Sequence, residues 1–277
     1  MTHREKILCL DKELTTISLT RQCELWDISR ASAYYQPMVN ERDIILMGLI
    51  DKIYTDYPFY GSRRIRYELI QTNKIIVARD HVRRLLHIMG IEAIYPKAKP
   101  NTSQANEQHR KYPYLLKGLP IIRPNQVWGT DITYIKLEIG WCYLIAFIDW
   151  FSRYVISWEL SPTLEIPFCL TALERALKTA TPEISNSDQG SHFTSEQFIQ
   201  PLLDQNIKIS MDGRGRCMDN IFTERLWRTV KYENVFLKSY RTIGEANAGL
   251  TDYFQFYNTK RPHQSLDYRT PKTVYSC

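Results

Sequence analysis

Several things are missing from this 277-residue sequence, and each absence removes a class of protein. None of its six cysteines (Cys9, Cys23, Cys142, Cys169, Cys217, Cys277) stands in a C-x-x-C pair. A disulfide framework is therefore not expected, and reduced thiols in a cytosol are. The six histidines are scattered, and His81 and His87 have no cysteine pair with which to complete a zinc site. No signal peptide and no apolar run long enough to cross a bilayer is found, so the sequence predicts a cytoplasmic protein without a membrane partner. Leucine heptads are lacking as well, which argues against a coiled coil within this chain.

What is present fits a packed protein: 44% of the residues are hydrophobic and 24% charged. The length suits one sizeable domain with a smaller one. The net charge of +6 is mild, but its distribution is uneven. Residues 1–115 carry 18 Lys+Arg against 13 Asp+Glu, residues 116–212 carry 7 against 11, and residues 213–277 carry 11 against 6. Two basic flanks thus surround an acidic middle. Basic flanks would hold a polyanion by its phosphates, whereas an acidic centre would repel one unless cations sat there. An ordinary, unevenly charged surface would give the same totals.

The N-terminal third reads as helical. Residues 1–36 resemble a helix-turn-helix: Leu19, Cys23 and Leu25 form an apolar face, Trp26-Asp27-Ile28 a turn, and a second helix starts near Ser29. A second helical unit covers 42–95. Its first helix carries Ile44, Ile45, Leu49 and Ile53 at helical spacing. Gly61 precedes a helix bearing Arg63, Arg64 and Arg66, and a further helix turns Val82, Leu85, Leu86 and Met89 inward with Arg79, Arg83, Arg84 and His87 outward. Residues 58–115 hold 11 basic and 4 acidic residues, which makes this the preferred DNA-contacting region. Residues 96–118 are polar, contain proline and lack periodicity, as a linker would.

From 119 to 277 the pattern changes to strands and helices in the order βββαβαβα. Strands are expected at 126–137, 141–149, 153–160, 183–187 and 207–211. The first three form an antiparallel meander, and helices follow at about 161–179, 195–205 and from 219 or 220 onward. This order predicts an α/β layer arrangement with a mixed five-stranded sheet.

Three carboxylates carry the chemistry of this region. Asp131 lies mid-strand in VWGTDITYI, where an unpaired charge is costly and a cation would relieve it. Asp188, in ISNSDQGSHF, follows a strand's end, where open α/β sheets place their sites. Glu224 comes 35 residues after Asp188, on a helix whose buried stripe is Phe222, Leu226 and Val230. At about 100° per residue Glu224 points away from that stripe, alongside Arg228 and Lys231. A surface charge ladder would look the same. Three acids on three elements can converge on two divalent cations, and hard oxygen ligands favour Mg²⁺ or Mn²⁺.

In combination, WGTDITYI, NSDQGSHFTS, the 35-residue gap and MDGRGRCMDNIFTERLWRTVKYE resemble the retroviral-integrase-like transposases of bacterial insertion sequences. The match resembles the second-reading-frame product of insertion-sequence family three. YNTKRPHQSLDYRTP resembles that family's C-terminal signature, and YGSRRIRYEL its helix-turn-helix segment. The resemblance implies an RNase H-like fold in which Asp131, Asp188 and Glu224 bind metal. It implies nicking at transposon ends, then strand transfer by the freed 3′-hydroxyl. Lys231 matches a position that touches DNA near the reactive end, Arg228 is a weaker match, and Arg214 and Arg216 are candidate DNA contacts in the Gly/Arg loop. Asn186 and His192 depart from the residues common in relatives, His and Gln respectively. Expected partners are the double-stranded DNA of transposon ends and target, further copies of the chain on DNA, and the upstream-frame protein or its fusion, since Met1 opens this chain. A non-catalytic DNA-binding regulator is the alternative from another class. A ribonuclease H is a third reading, but a minimal nuclease needs neither the basic N-terminal helices nor the C-terminal signature.

Overall fold

The computed structural model describes residues 2–14, 16–34, 40–94, 112–212 and 220–277. The chain divides into two units, residues 1–51 and 52–277.

In the first unit, α1 (His3–Leu8) starts at a capping box in which the Thr2 and Glu5 side chains satisfy each other's backbone N–H. Helices α2 (Leu19–Leu25) and α3 (Arg30–Tyr34) flank a turn in which Asp27 adopts a left-handed φ of 51°. The expected apolar face holds for Cys23, but Leu25 is exposed and Gln22 is buried instead. The Gln22 amide explains this, because it donates to the carbonyls of Asp11 and Ile17 and its oxygen accepts from the Asp11 N–H.

The boundary between the units falls within α4 (Glu41–Asp56). Here too the buried stripe differs from the expected one. It is Asp43, Leu46 and Ile50, while Ile44 and Ile45 are exposed. Apolar residues surround this helix, so periodicity alone could not select its inner face.

The second unit continues with α5 (Ser62–Gln71), which follows Gly61, and α6 (Arg79–Ile88), which buries Val82, Leu85 and Leu86. The end of the expected linker is not free. Leu116 is buried, the Leu115 N–H donates to Ser210 Oγ, and the Pro113 carbonyl accepts from Met211 N.

The sheet comprises β1 (Val127–Lys136), β2 (Trp141–Asp149), β3 (Val155–Ser161), β4 (Ile184–Ser187) and β5 (Lys208–Met211), in the order β3-β2-β1-β4-β5. The three hairpin-linked strands pair antiparallel, and β4 joins β1 and β5 in parallel. Between β3 and β4 runs α7 (Ile166–Thr179), and between β4 and β5 runs α8 (Glu196–Asp204). Helix α7 begins later than the sequence suggested. Ser161 still belongs to β3, and Pro167 occupies the first turn, where its missing N–H costs nothing.

Strand β2 reads as one apolar run because both of its faces are covered. Leu144, Ala146 and Ile148 join the core beneath α9 (Ile221–Val230) and α11 (Ile243–Thr259), while Ile145 and Phe147 join the core beneath α7 and α8. A π-helical turn (Lys231–Val235) and the short α10 (Phe236–Lys238) link α9 to α11. The chain ends with a 3₁₀ turn (Gln264–Leu266) and α12 (Pro271–Tyr275). The start of β3 is closed by α11, whose Asn258 amide pairs with both backbone groups of Val155 at 2.9 Å.

Candidate active site

Asp131 lies at the middle of β1, opposite Ala146 of β2, and is half-buried. Its Oδ1 accepts from the Ile132 N–H at 2.8 Å and its Oδ2 from Trp227 Nε1 at 2.9 Å. Asp188 is the first residue beyond β4, the strand parallel to β1. Its Oδ1 accepts from the Gly190 N–H at 2.9 Å, closing a tight turn that fixes the carboxylate.

Asp131 feels the charge of Asp188. Burial raises the Asp131 carboxyl to about 7, the Asp188 charge and then Asp212 push it upward, and the Trp227 and Ile132 donors oppose the rise. Asp188 is open to solvent on one side, yet enough protein surrounds its carboxyl that desolvation raises it, against the Gly190 N–H and the nearby His192. Lys231, half-buried at the end of α9, is lowered by burial, with Asp131 opposing. Glu224 is exposed in the first turn of α9 and is raised by desolvation alone. Among the described residues, no three His, Cys, Asp or Glu side chains stand close enough to hold a single ion. The structure thus brings Asp131 and Asp188 together, while Glu224 does not join them around one point.

The packing of α9 against β1 explains the neighbouring sequence. A methyl group at Gly129 would overlap the Trp150 indole nitrogen and the Thr223 hydroxyl, so glycine is needed where the helix meets the strand. Thr223 Oγ1 donates to Asn220 Oδ1, and Asn220 Nδ2 reaches the Thr130 carbonyl. Three residues of the site were not singled out from the sequence. Trp227, one turn after Glu224, carries the indole donor that orients Asp131. Asp212, just after β5, adds negative charge near Asp131, and Gly129 admits α9. Asn186, the departure on β4, is buried and donates to Asp212 Oδ1 at 2.8 Å. His192 Nε2 pairs with the Leu164 carbonyl at 2.7 Å.

The candidate DNA contacts are distributed differently. Arg228 is exposed, its guanidinium 5.5 Å from the Tyr232 ring centroid. Arg64 Nη1 lies 2.8 Å from Glu233 Oε1, and Arg63 Nη1 lies 3.1 Å from Gln264 Oε1. Arg83 and Arg84 are exposed on α6, with Arg83 3.9 Å from Asp80. Arg214, Arg216 and Cys217 lie outside the described residues.

The C-terminal signature is a clamp. Arg261 is buried, and its Nε and Nη2 bind both oxygens of Glu233 at 2.6 and 2.7 Å. Tyr253 donates to the same carboxylate, and Arg261 Nη1 lies 2.9 Å from His263 Nε2. His263 therefore serves as an acceptor, its ring edge-on to Tyr257. Burial and the surrounding arginines lower it to about 2. Burial opposes ionisation of Glu233, yet the two arginines hold its carboxyl below its usual range.

A mixed sheet in this order, with acids at the centre of one strand and the end of its parallel neighbour, defines an integrase-like core. Family profiles agree: two described as "Integrase core domain" match residues 122–217 and 205–271, and one described as "HTH-like domain" matches 41–99. The chain is 31% identical over 237 residues to the transposase of insertion sequence element IS904 from Lactococcus lactis, covering 84% of this chain and 93% of that one. It is 28% identical to the transposase of IS629 from Shigella sonnei, over 83% of this chain and 79% of the other. Its fold is similar to that of a chain in the simian T-cell lymphotropic virus intasome bound to the PP2A regulatory subunit B56 gamma. There the TM-score is 0.50 at 16% identity, covering 82% of this chain and 74% of that chain. The protein belongs to the insertion-sequence transposases with an integrase core, in the second-reading-frame group of insertion-sequence family three.

Proposed function

We propose that this transposase is a metal-dependent polynucleotidyl transferase, which nicks DNA at the ends of its element and joins the freed 3′-hydroxyl to target DNA. The observation that carries the reading is the pair Asp131 and Asp188. A half-buried strand carboxylate raised to about 7, beside a second carboxylate and without an ion-pair partner among the described residues, suits a divalent cation. Their hard oxygen donors fit Mg²⁺ or Mn²⁺, and Glu224, which stands apart from the pair here, would complete the set by moving toward them. Two such ions, when bound, would supply Lewis acidity to the attacking and leaving oxygens.

The chain's own residues have separable tasks. Trp227 holds the Asp131 carboxylate in one orientation through its indole N–H. Gly190 does the same for Asp188 through its backbone N–H. Lys231, close enough to Asp131 to feel its charge, is suited to a phosphate beside the reacting bond. Arg228, Arg83 and Arg84 provide exposed cations for the DNA backbone, and Arg214 and Arg216 are proposed to do so. The partners in this reading are the double-stranded DNA of element ends and target, further copies of the chain assembled on that DNA, and the upstream-frame protein or its fusion. The reaction would take place in the cytoplasm.

The test is a Mg²⁺-dependent cleavage and strand-transfer assay on the element's own end sequence. Glu224→Gln is expected to reduce product by at least about 10²-fold, the loss that follows removal of one electrostatic contact to the transition state. Equal yields from wild type and Glu224→Gln would overturn the reading and leave a DNA-binding protein without this chemistry.

A further inference from the structure

A pocket of about 430 Å³ lies where α9, the turn after β2 and the segment after α11 meet. Four guanidinium groups line it, those of Arg64, Arg153, Arg225 and Arg261, with Phe222 and Tyr257 among the remaining walls, and among the described residues no carboxylate lines it. Two of the four, Arg64 and Arg261, share the single carboxylate of Glu233 behind the wall. With Asp149 near Arg153 as the other acid, four cations still outnumber the anions behind them, and the lining is positive.

Arg153 is the distinctive member. The Phe222 ring covers one face of its guanidinium, 3.5 Å from ring centroid to guanidinium carbon. Its Nη1 is buried with no hydrogen-bond partner among the described residues. Asp149, an acid whose charge Arg153 feels, has its oxygens taken up by the backbone N–H groups of Asn125 and Ser152 and by the Ser152 hydroxyl. A buried charged N–H without an acceptor is costly, and a small turn of the guanidinium toward an anion in the pocket would relieve it. Arg225 is exposed and has no ion-pair partner among the described residues, so its fork is available too. Planar guanidinium forks around an open pocket match the geometry of a phosphate group.

We propose that this pocket seats a backbone phosphodiester of bound DNA, with Arg153 and Arg225 as its principal donors. The inference rests on the DNA-processing reading above and adds a contact which that reading lacks. DNA is the source of the phosphate because Arg225 directly follows Glu224 on α9. One helix thus presents the candidate catalytic acid on one face and the phosphate seat about 100° around its axis. A duplex engaged at the first would run past the second.

The test uses the full chain, a duplex carrying the element's end, an unrelated duplex and inorganic phosphate. Arg225→Gln, at an exposed position, is expected to weaken binding to both duplexes alike by several-fold and to reduce the log–log salt slope by about one. Arg153→Gln should act the same way, and inorganic phosphate should raise the melting temperature of wild type more than that of either variant. Unchanged affinity and slope in both variants would overturn the proposal. Phosphate stabilisation without a change in DNA binding would overturn the DNA source and leave a site for free anions. Glu224→Gln, assayed in parallel for strand transfer, reports on the catalytic reading separately, because DNA binding is measured without turnover.

Discussion

Asp131 could be picked out of the sequence because a carboxylate in the middle of an apolar strand needs a reason. The residues that make its position workable could not. Gly129 is an unremarked glycine until α9 is laid across β1, where Trp150 and Thr223 fill the space a methyl would need. Gly129→Ala is expected to force α9 from the strand and to cost about 1–3 kcal/mol, the usual penalty for overpacking, read as a lowered urea midpoint. Trp227 reads from periodicity as one more buried aromatic, yet its Nε1 is the only side-chain donor to Asp131 among the described residues. Trp227→Phe keeps the ring bulk and removes that donor. Its Mg²⁺ requirement should rise by about 10–100-fold in the cleavage assay, as when the groups orienting a metal ligand are removed. An unchanged requirement would assign Trp227 to packing alone.

At the level of elements, the strands and the antiparallel meander of the first three were legible because β1 alternates and β2 is a long apolar run, with turn residues between them. The direction in which α9 ends was not. A π-helical turn from Lys231 to Val235 shifts the phase after α9, and Glu233 there meets Arg64 and Arg261, 169 and 28 positions away in sequence. Arg64 therefore looked like a free cation on a basic helix, although in the fold it completes a buried cluster. Breaking such a cluster on one side is expensive, so Glu233→Gln should destabilise the second unit by about 3–5 kcal/mol in equilibrium unfolding.

The same cluster gives a pH signature. His263 is kept neutral in the folded state, down to about 2, but protonates near 6.5 when unfolded. The unfolded state therefore binds more protons below pH 6.5, and stability from this residue falls by about 1.4 kcal/mol per pH unit as the pH drops. Asp131, raised to about 7, titrates in the same window with the opposite sign, because its folded state holds the proton. The informative quantity is thus the difference between wild type and His263→Gln, measured without divalent ions from pH 6.5 to 5. That difference should shrink steadily on acidification, because the glutamine can still accept from Arg261 but cannot protonate. A constant difference would mean that His263 is already charged in the folded protein.

Over the whole molecule, the uneven charge of the sequence acquires an arrangement. The acidic middle segment supplies the sheet, with Asp131, Asp188 and Asp212 gathered near its β1–β4 side, and the basic C-terminal segment supplies α9 with Arg225 and, beyond α11, Arg261. The central claim is that Asp131 and Asp188 form a divalent-ion site. Its most direct measurement is a calorimetric titration of the full chain with Mn²⁺ near pH 8, above the value of about 7 to which Asp131 is raised, repeated on Asp131→Asn and Asp188→Asn. The account predicts saturable binding by wild type and loss of that binding in each variant, with the fold retained. Binding of equal affinity and stoichiometry in all three proteins would contradict it.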